Sequence, residues 1–148
     1  MVGKTKDDYL DEAIRDFLKR LRPFCKLELV YIKDERVHDD VSKLLSDEAK
    51  RIRGQVKKDE FVIVLDERGK SFTTEQLQDQ FSRFIDRGVG NITMIVGGAH
   101  GLDKALKLEA DLLLSLSPIT MNHQIVRLVL LEQLYRIFTL QRGMKYHK

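Results

Sequence analysis

Two loops in the last third of the chain have the residue types that bind a small ligand through main-chain atoms. The first, V-G-G-A-H-G-L, covers residues 96–102, and the second, L-S-L-S-P-I-T, covers residues 114–120. Glycine lets a ligand approach the main chain closely, and a serine-proline loop offers backbone donors and acceptors to an uncharged heterocycle. For any single one of Gly97, Gly98 and Gly101, the simpler interpretation is that it only shapes a strand-to-helix turn.

Both loops follow short apolar runs that have the composition of strands. Residues 92–96 (I-T-M-I-V) precede the glycine loop, and residues 112–116 (L-L-L-S-L) lead into the serine-proline loop. A third run, Phe61 to Leu65, is apolar on both faces, which is typical of a central parallel strand, and the turn D-E-R-G-K follows it. Open α/β sheets bind ligands at the carboxyl ends of their strands, so the sequence predicts a ligand-binding edge there.

The first half of the chain is predicted from its hydrophobic periodicity. A first helix carries an apolar stripe from Tyr9 to Leu21, with one buried face. Thr5 could cap this helix, and Pro23 follows its end. Three further segments are a strand over residues 26–32, a charged loop over residues 33–40, and a more polar helix over residues 41–52 that ends near Gly54.

Strands and helices alternate through residues 61–140. Thr73 or Thr74 can cap a helix that ends around Gly88 and Gly90 and directs four side chains inward, namely Leu77, Phe81, Phe84 and Ile85. A short helix follows Leu102. With no internal repeat and 148 residues, the chain is predicted to be one α/β domain, residues 1–148, with a largely parallel sheet.

The last helix, from His123 to Leu140, is apolar over too wide an arc for one buried face. We therefore expect the sheet to cover one side and a partner subunit to cover another. Glu132 and Arg136 are spaced i, i+4, so an intrahelical ion pair is the simplest interpretation of Arg136. His123 lies at the start of this helix, where it could serve only as a cap.

The basic residues are concentrated at the end of the chain. Residues 121–148 contain five basic side chains, Arg127, Arg136, Arg142, Lys145 and Lys148, against the single acid Glu132. This segment therefore carries a net charge of +4. Since the whole chain carries +3, residues 1–120 carry −1. Such an excess can neutralise nucleic-acid phosphates, and a solvated, frayed terminus is the equally weighted alternative.

Several functional classes lack support in the sequence. The glycine loop has neither the G-x-G-x-x-G spacing of a dinucleotide fold nor the ending of a P-loop, and no G-x-S-x-G motif occurs. The four histidines have no zinc-binding spacing, so no metal site is predicted. A single cysteine, Cys25, predicted to be partly buried, fits a reducing compartment, and no signal peptide or uninterrupted membrane span is seen. We expect a soluble, cytoplasmic protein.

Five motifs, in order, resemble the ribosomal large subunit methyltransferase H family, which belongs to the SPOUT class of α/β-knot methyltransferases. They are L-D-E-R-G-K (65–70), I-V-G-G-A-H-G-L (95–102), L-S-L-S-P-I-T (114–120), H-Q-I-V-R-L-V-L-L-E-Q-L-Y-R-I-F (123–138) and R-G-M-K-Y-H-K (142–148). The resemblance extends from Val2 to Lys148, and five motifs with matching gaps are far more specific than any one of them.

The resemblance implies a trefoil knot in the C-terminal half, which only rare folds contain. It also implies a homodimer that uses S-adenosylmethionine to methylate N3 of a pseudouridine in 23S rRNA, on the ribosome or large subunit, with no role for DNA or a membrane. The cofactor pocket would be formed, position by position, by Leu65, Gly97, Leu116, Ser117, Pro118, Ile119, Thr120 and Met121.

The implied reaction needs the protein to align the pseudouridine N3 with the methyl carbon, exclude water and favour loss of the N3 proton. Candidate catalytic residues for steadying the resulting anion are Arg136, Tyr146 and His147, and Tyr146 could also stack on a base. Arg142, Lys145 and Lys148 are candidates for RNA contact. The hypothesis is that the tail from Tyr146 to Lys148 completes the active site.

The chain departs from the family's pattern at two places. Members usually open with a full strand before V-G-K, whereas only Met1 and Val2 precede Gly3 here. Either the start is misplaced or the chain is truncated, and the loss of a sheet strand would lower both stability and activity. The A-H of the glycine loop and the M-N-H before the last helix also differ from the usual residues. The alternatives are a SPOUT enzyme acting on tRNA and a non-catalytic, ribosome-associated RNA-binding protein.

Overall fold

A computed structural model describes residues 1–5, 7–33 and 40–146. Within these ranges the chain forms five helices and three strands in the order α1 (Asp8–Leu21), α2 (Val41–Arg53), β1 (Phe61–Ser71), α3 (Thr74–Asp86), β2 (Ile92–Ile95), α4 (Lys104–Leu108), β3 (Leu112–Ser115) and α5 (His123–Gln141). The predicted alternation of strands and helices after residue 60 is confirmed.

The three strands form one parallel sheet in the order β2-β1-β3. β1 is central, and its residue Ile63 lies opposite Met94 of β2 and Leu112 of β3. Ile63 and Val64 are completely buried, as a run that is apolar on both faces predicts. The α/β class with a parallel sheet is therefore confirmed, whereas the trefoil knot stays a prediction.

The segment after Leu65 differs from the predicted turn. β1 continues to Ser71, and both Leu65 and Lys70 lie opposite Leu114 of β3, so residues 66–69 bulge out of register and the strand then resumes. Gly69 makes this return possible, because a Cβ there would lie 2.7 Å from the Leu114 carbonyl carbon. Spacing alone could not reveal a strand that leaves its register and rejoins the same partner.

The helix starts follow local hydrogen bonding. Thr73 caps α3 in a capping box, since its hydroxyl accepts from Gln76 N and the Gln76 side chain accepts from Thr73 N. Asp40 caps α2, which ends at Arg53 with Gly54 as its C-cap, so the predicted end near Gly54 is confirmed. Four side chains of α3 were predicted to point inward. The prediction is wrong for Ile85, which is 61% exposed, whereas Phe81 and Phe84 are buried.

The start of α1 corrects the predicted role of Thr5. The helix begins at Asp8 and has no side-chain cap, and the Thr5 hydroxyl instead accepts a hydrogen bond of 3.2 Å from Arg127 Nη1. Tyr9 was expected in the buried stripe but is 70% exposed, while Ile14 and Leu21 are buried. Pro23 follows the helix end as predicted.

The predicted strand over residues 26–32 is wrong, because only Ile32 forms a β-bridge, with Val2. Val2 N donates to Val96 O at 3.1 Å, and Ile32 N donates to Met1 O at 2.8 Å, so the first residues lie between Ile32 and the end of β2. Leu27 and Val30 are exposed.

Cys25 is half-buried as predicted, and burial raises the pKa of its thiol. Most of the predicted charged loop, residues 34–39, lies outside the described residues.

Helix α5 packs against α1 and α3 as well as against the sheet. Its Tyr135 ring meets Phe17 of α1, and its Gln133 Oε1 accepts a hydrogen bond from the Thr74 hydroxyl of α3. Helices of the same chain therefore cover faces of α5 for which the apolar pattern suggested a partner subunit, and a homodimer stays a prediction. Within the described part of the chain, no helix is long and apolar enough to cross a membrane.

Candidate functional site

A cavity of about 430 Å³ opens at the carboxyl edge of the sheet. Its walls come from the bulge of β1 that begins after Leu65, from the segments that follow β2 and β3, and from the first turn of α5. The predicted ligand-binding edge therefore coincides with a cavity of the size that cofactors occupy.

Seven of the eight residues predicted for the cofactor pocket line this cavity. They are Leu65, Gly97, Leu116, Ser117, Ile119, Thr120 and Met121. The eighth, Pro118, does not line it. The sequence prediction missed Asp66, Glu67, Lys107, His123 and Val126, which line it as well. Asp66 and Glu67 directly follow the buried apolar run of β1, and that position was the signal available for them.

The glycine loop is shaped by close main-chain packing. Gly101 has a φ of +78°, and its N donates to Gly98 O at 3.1 Å, which closes a tight turn. A Cβ on Gly97 would lie only 2.7 Å from Gly101 O and 2.9 Å from Leu102 Cγ. Gly97 and Gly101 thus do shape the strand-to-helix turn, and the same turn forms a wall of the cavity.

The serine-proline loop is fixed by its own hydroxyls. The Ser115 hydroxyl donates to Ser117 O at 2.9 Å, and the Ser117 hydroxyl accepts from Ile119 N at 3.0 Å. At the far side, the Thr120 hydroxyl donates to Glu67 Oε2 at 2.8 Å, which ties this loop to the bulge of β1. The loop therefore presents a defined set of main-chain groups at the cavity.

An ion pair between Asp66 and Lys107 links the β1 bulge to α4 at the cavity wall. Lys107 Nζ lies 2.6 Å from Asp66 Oδ2, and Arg68 N donates to Asp66 Oδ1 at 2.9 Å. The Asp66 side chain is only 12% exposed. Burial disfavours the charged carboxylate, but the hydrogen bonds from Lys107 and Arg68 outweigh it and lower the pKa of Asp66.

We expect Asp66→Asn to weaken cofactor binding about tenfold, because a neutral amide holds Lys107 less strongly than a carboxylate does. Titration calorimetry with S-adenosylmethionine, the cofactor that the sequence resemblance implies, measures this, and Asp79→Asn, an exposed change on α3, is the control. Because the pKa of Asp66 is lowered, its carboxylate stays charged in the pH range where an ordinary aspartate becomes protonated. The ion pair is lost only when the pH falls through the lowered pKa of the folded protein. If Asp66→Asn binds the cofactor as tightly as the wild type at neutral pH, this role of Asp66 is contradicted.

The predicted catalytic residues Arg136 and Tyr146 lie together. The Arg136 guanidinium carbon is 5.0 Å from the centre of the Tyr146 ring, and Nη2 is 2.5 Å from Glu132 Oε1, so the expected intrahelical ion pair is confirmed. Burial, and then the charge of Glu132, raise the pKa of the Tyr146 phenol. His147 and Lys148 lie outside the described residues.

Neither Arg136 nor Tyr146 lines the cavity. Val126, the last residue of α5 at the cavity, is ten positions before Arg136, which corresponds to about 15 Å along the helix. Arg142, predicted for RNA contact, is exposed and donates through Nη2 to Pro23 O at 3.0 Å, and Lys145 is exposed beside it. The basic tail is therefore separated from the cavity of the same chain.

His123, at the start of α5, does not have the capping role that the sequence suggested. Asn122 is the cap, since its side chain accepts from Gln124 N at 2.8 Å, and His123 is the first helical residue. His123 lines the cavity together with His100 of the glycine loop. Within the residues that the structure describes, no group of three or more His, Cys, Asp or Glu side chains could hold a metal ion.

Comparison with known proteins agrees with this arrangement. Residues 1–147 match the protein family described as "Predicted SPOUT methyltransferase". Three relatives, from Halothermothrix orenii, Streptococcus suis and Acetivibrio thermocellus, carry the name "Ribosomal RNA large subunit methyltransferase H" and are each 41% identical to the chain, over 99% of its length and 96% of theirs. The chain therefore belongs to the SPOUT methyltransferases, in the family of ribosomal RNA large subunit methyltransferase H.

Proposed function

We propose that this protein uses S-adenosylmethionine to methylate N3 of a pseudouridine in 23S rRNA. The observation that carries the proposal is the cavity at the three strand ends, which unites seven residues of the expected cofactor pocket in a chain of this family. The relatives' name supplies the substrate class, large-subunit ribosomal RNA.

The residues present fit the cofactor. The missing Cβ of Gly97 leaves the main chain of the glycine loop as a wall of the cavity, and the fixed main chain of residues 116–121 can read an adenine without side chains. The methionine part of the cofactor carries both signs of charge, and the cavity lining carries both as well, in Asp66, Glu67 and Lys107. When bound, S-adenosylmethionine supplies a methyl group that its sulfonium already activates.

The work left to the protein is positioning and charge stabilisation. Leu65, Leu116 and Val126 give the cavity apolar walls that exclude water. The Arg136 guanidinium is a fixed cation that can favour the anion formed when N3 loses its proton, and Tyr146 offers a ring face and a hydroxyl to the base. His147 is proposed to join them, and Lys145, Arg142 and Lys148 to contact phosphates.

This chemistry requires a homodimer, because the tail of one protomer lies about 15 Å along α5 from its own cavity. A second copy related by two-fold symmetry can bring Arg136 and Tyr146 to that cavity. The partly exposed apolar residues that remain on α5, among them Ile125 at 42% exposure, fit such a contact. We place the enzyme in the cytoplasm, where ribosomes are its substrate.

The proposal is tested by transfer of labelled methyl from S-adenosylmethionine to intact ribosomes, free large subunits and bulk tRNA. We expect incorporation into large-subunit rRNA, with N3-methylpseudouridine found after digestion to nucleosides. Incorporation into tRNA alone would overturn the rRNA assignment and favour a tRNA enzyme. Absence of both methyl transfer and cofactor binding would favour a non-catalytic RNA-binding protein.

We expect deletion of residues 146–148 to reduce methyl transfer at least about a hundredfold while cofactor affinity stays unchanged, because the tail acts on the nucleotide and not on the cofactor. Initial rates on ribosomes and titration calorimetry measure the two effects. Gly97→Ala keeps its tail but binds the cofactor weakly, so at a cofactor concentration that fills only the wild-type cavity it should be inactive by itself. Mixing it with the tail deletion under these conditions should restore about a quarter of the wild-type rate through heterodimers. No recovery from proven heterodimers would exclude a tail that acts across the dimer.

A further inference from the structure

The end of α1 and the basic tail form one surface although they are about 120 residues apart in sequence. Arg142 Nη2 donates to Pro23 O at 3.0 Å, just past the end of α1. The Arg142 guanidinium carbon also lies 4.4 Å from the centre of the Phe24 ring. These contacts fix the start of the tail against the last turn of α1.

A group of aromatic rings extends this contact to Arg20. Phe24 meets Tyr135 edge-on at 5.7 Å, and Tyr135 meets Tyr146 at 4.7 Å. The Arg20 guanidinium carbon lies 5.5 Å from the ring centre of Phe17 and 6.0 Å from that of Tyr135. Arg20 and Arg142 therefore border the same aromatic cluster as the proposed catalytic tyrosine.

The surface around this cluster is positively charged and exposed. Lys19, Arg20 and Arg22 at the end of α1 are exposed, as are Arg142 and Lys145 in the tail. The Arg20 side chain keeps 47% of its surface exposed even though it pairs with Asp16 at 2.7 Å. The positive excess that the sequence assigned to the last 28 residues thus continues onto α1.

We propose that Arg20, with Lys19 and Arg22, forms one RNA-binding surface with Arg142 and Lys145 and contacts the phosphates of the strand that carries the target base. This inference rests on the proposed function and adds α1 to it. Guanidinium groups supported on aromatic rings are preorganised for bidentate contact with phosphate. RNA fits better than an acidic protein, because phosphates recur along a strand as the cations recur along this surface.

The test is RNA binding by Arg20→Gln, with Arg15→Gln as the matched control. Arg15 lies on the same helix and pairs with Asp11 at 2.7 Å, as Arg20 does with Asp16, but among the described residues it has no cation–π contact with an aromatic ring. Affinity for a labelled single-stranded RNA would be measured by fluorescence anisotropy from about 50 to 200 mM salt. Arg20→Gln should weaken binding about five- to tenfold and reduce the salt slope by about one, whereas Arg15→Gln should match the wild type.

Kinetics on large subunits provide the second readout. Arg20→Gln should raise KM for the subunit, with kcat and S-adenosylmethionine affinity unchanged, because the residue binds RNA away from the cofactor cavity. Wild-type RNA affinity and KM in Arg20→Gln would overturn the inference while leaving the methyltransferase proposal intact. If the mass of Arg20→Gln in solution shifts from that of a dimer to that of a monomer, the inference is also overturned, because this surface then contacts protein and not RNA. Failure of the wild type itself to bind cofactor or transfer methyl would instead defeat the proposed function.

Discussion

Gly97→Ala is expected to weaken S-adenosylmethionine binding about 10- to 100-fold, the equivalent of about 1–3 kcal/mol. The added Cβ would lie 2.7 Å from Gly101 O and 2.9 Å from Leu102 Cγ. A backbone oxygen cannot rotate away as a flexible side chain does, so the whole loop from Gly98 to Leu102 must move. That loop is a wall of the cavity, and its displacement changes the space that the cofactor requires.

Gly90→Ala is the matched control for this change. A Cβ on Gly90 meets nothing within 4 Å, and the residue does not line the cavity. Titration calorimetry would measure cofactor affinity for both variants, and thermal unfolding would verify that each is folded. Unchanged affinity in folded Gly97→Ala would show that the cofactor does not bind against the glycine loop.

Arg127→Ala is expected to reduce the free energy of unfolding by about 3 kcal/mol or more. Arg127 is a charged residue with no exposed surface, and it lies on α5. Its Nη2 donates to Val2 O, and its Nη1 donates to the Thr5 hydroxyl, so it ties the first residues of the chain to α5. Truncation leaves a cavity and removes the donor from a buried carbonyl.

Urea unfolding would measure this loss, with Arg15→Ala as an exposed control on α1 whose side chain is 77% accessible. Arg127→Met preserves most of the side-chain volume, so it should cost less than Arg127→Ala because it leaves no large cavity. Val2 N donates to the carbonyl oxygen of Val96, the first residue of the glycine loop, so cofactor affinity should fall together with stability. Equal stability of Arg127→Ala and the wild type would exclude a structural role for this arginine.

Local patterns were sufficient for most of the elements after residue 60. The apolar run of β1, the capping box at Thr73 and the short helix after Leu102 depend on neighbours in sequence, and each is present. The same local reasoning was wrong for residues 26–32, where alternation predicted a strand but only Ile32 has a strand-like partner. A strand needs a neighbour that pairs along its whole length, and alternation of residue types cannot supply one.

The sequence by itself determined the class of the fold, the three strand ends that line the cavity, and the family. It could do so because apolar periodicity and glycine loops are read from adjacent residues. Only the tertiary structure decided that Asp66 meets Lys107, that Arg127 is buried against Val2, and that Arg20 lies over the ring of Tyr135. These pairs are 41, 125 and more than 100 positions apart, and only chain packing brings them together. The tertiary structure also decided that only the first turn of α5, up to Val126, lies at the cavity, which leaves Arg136 about 15 Å further along the helix.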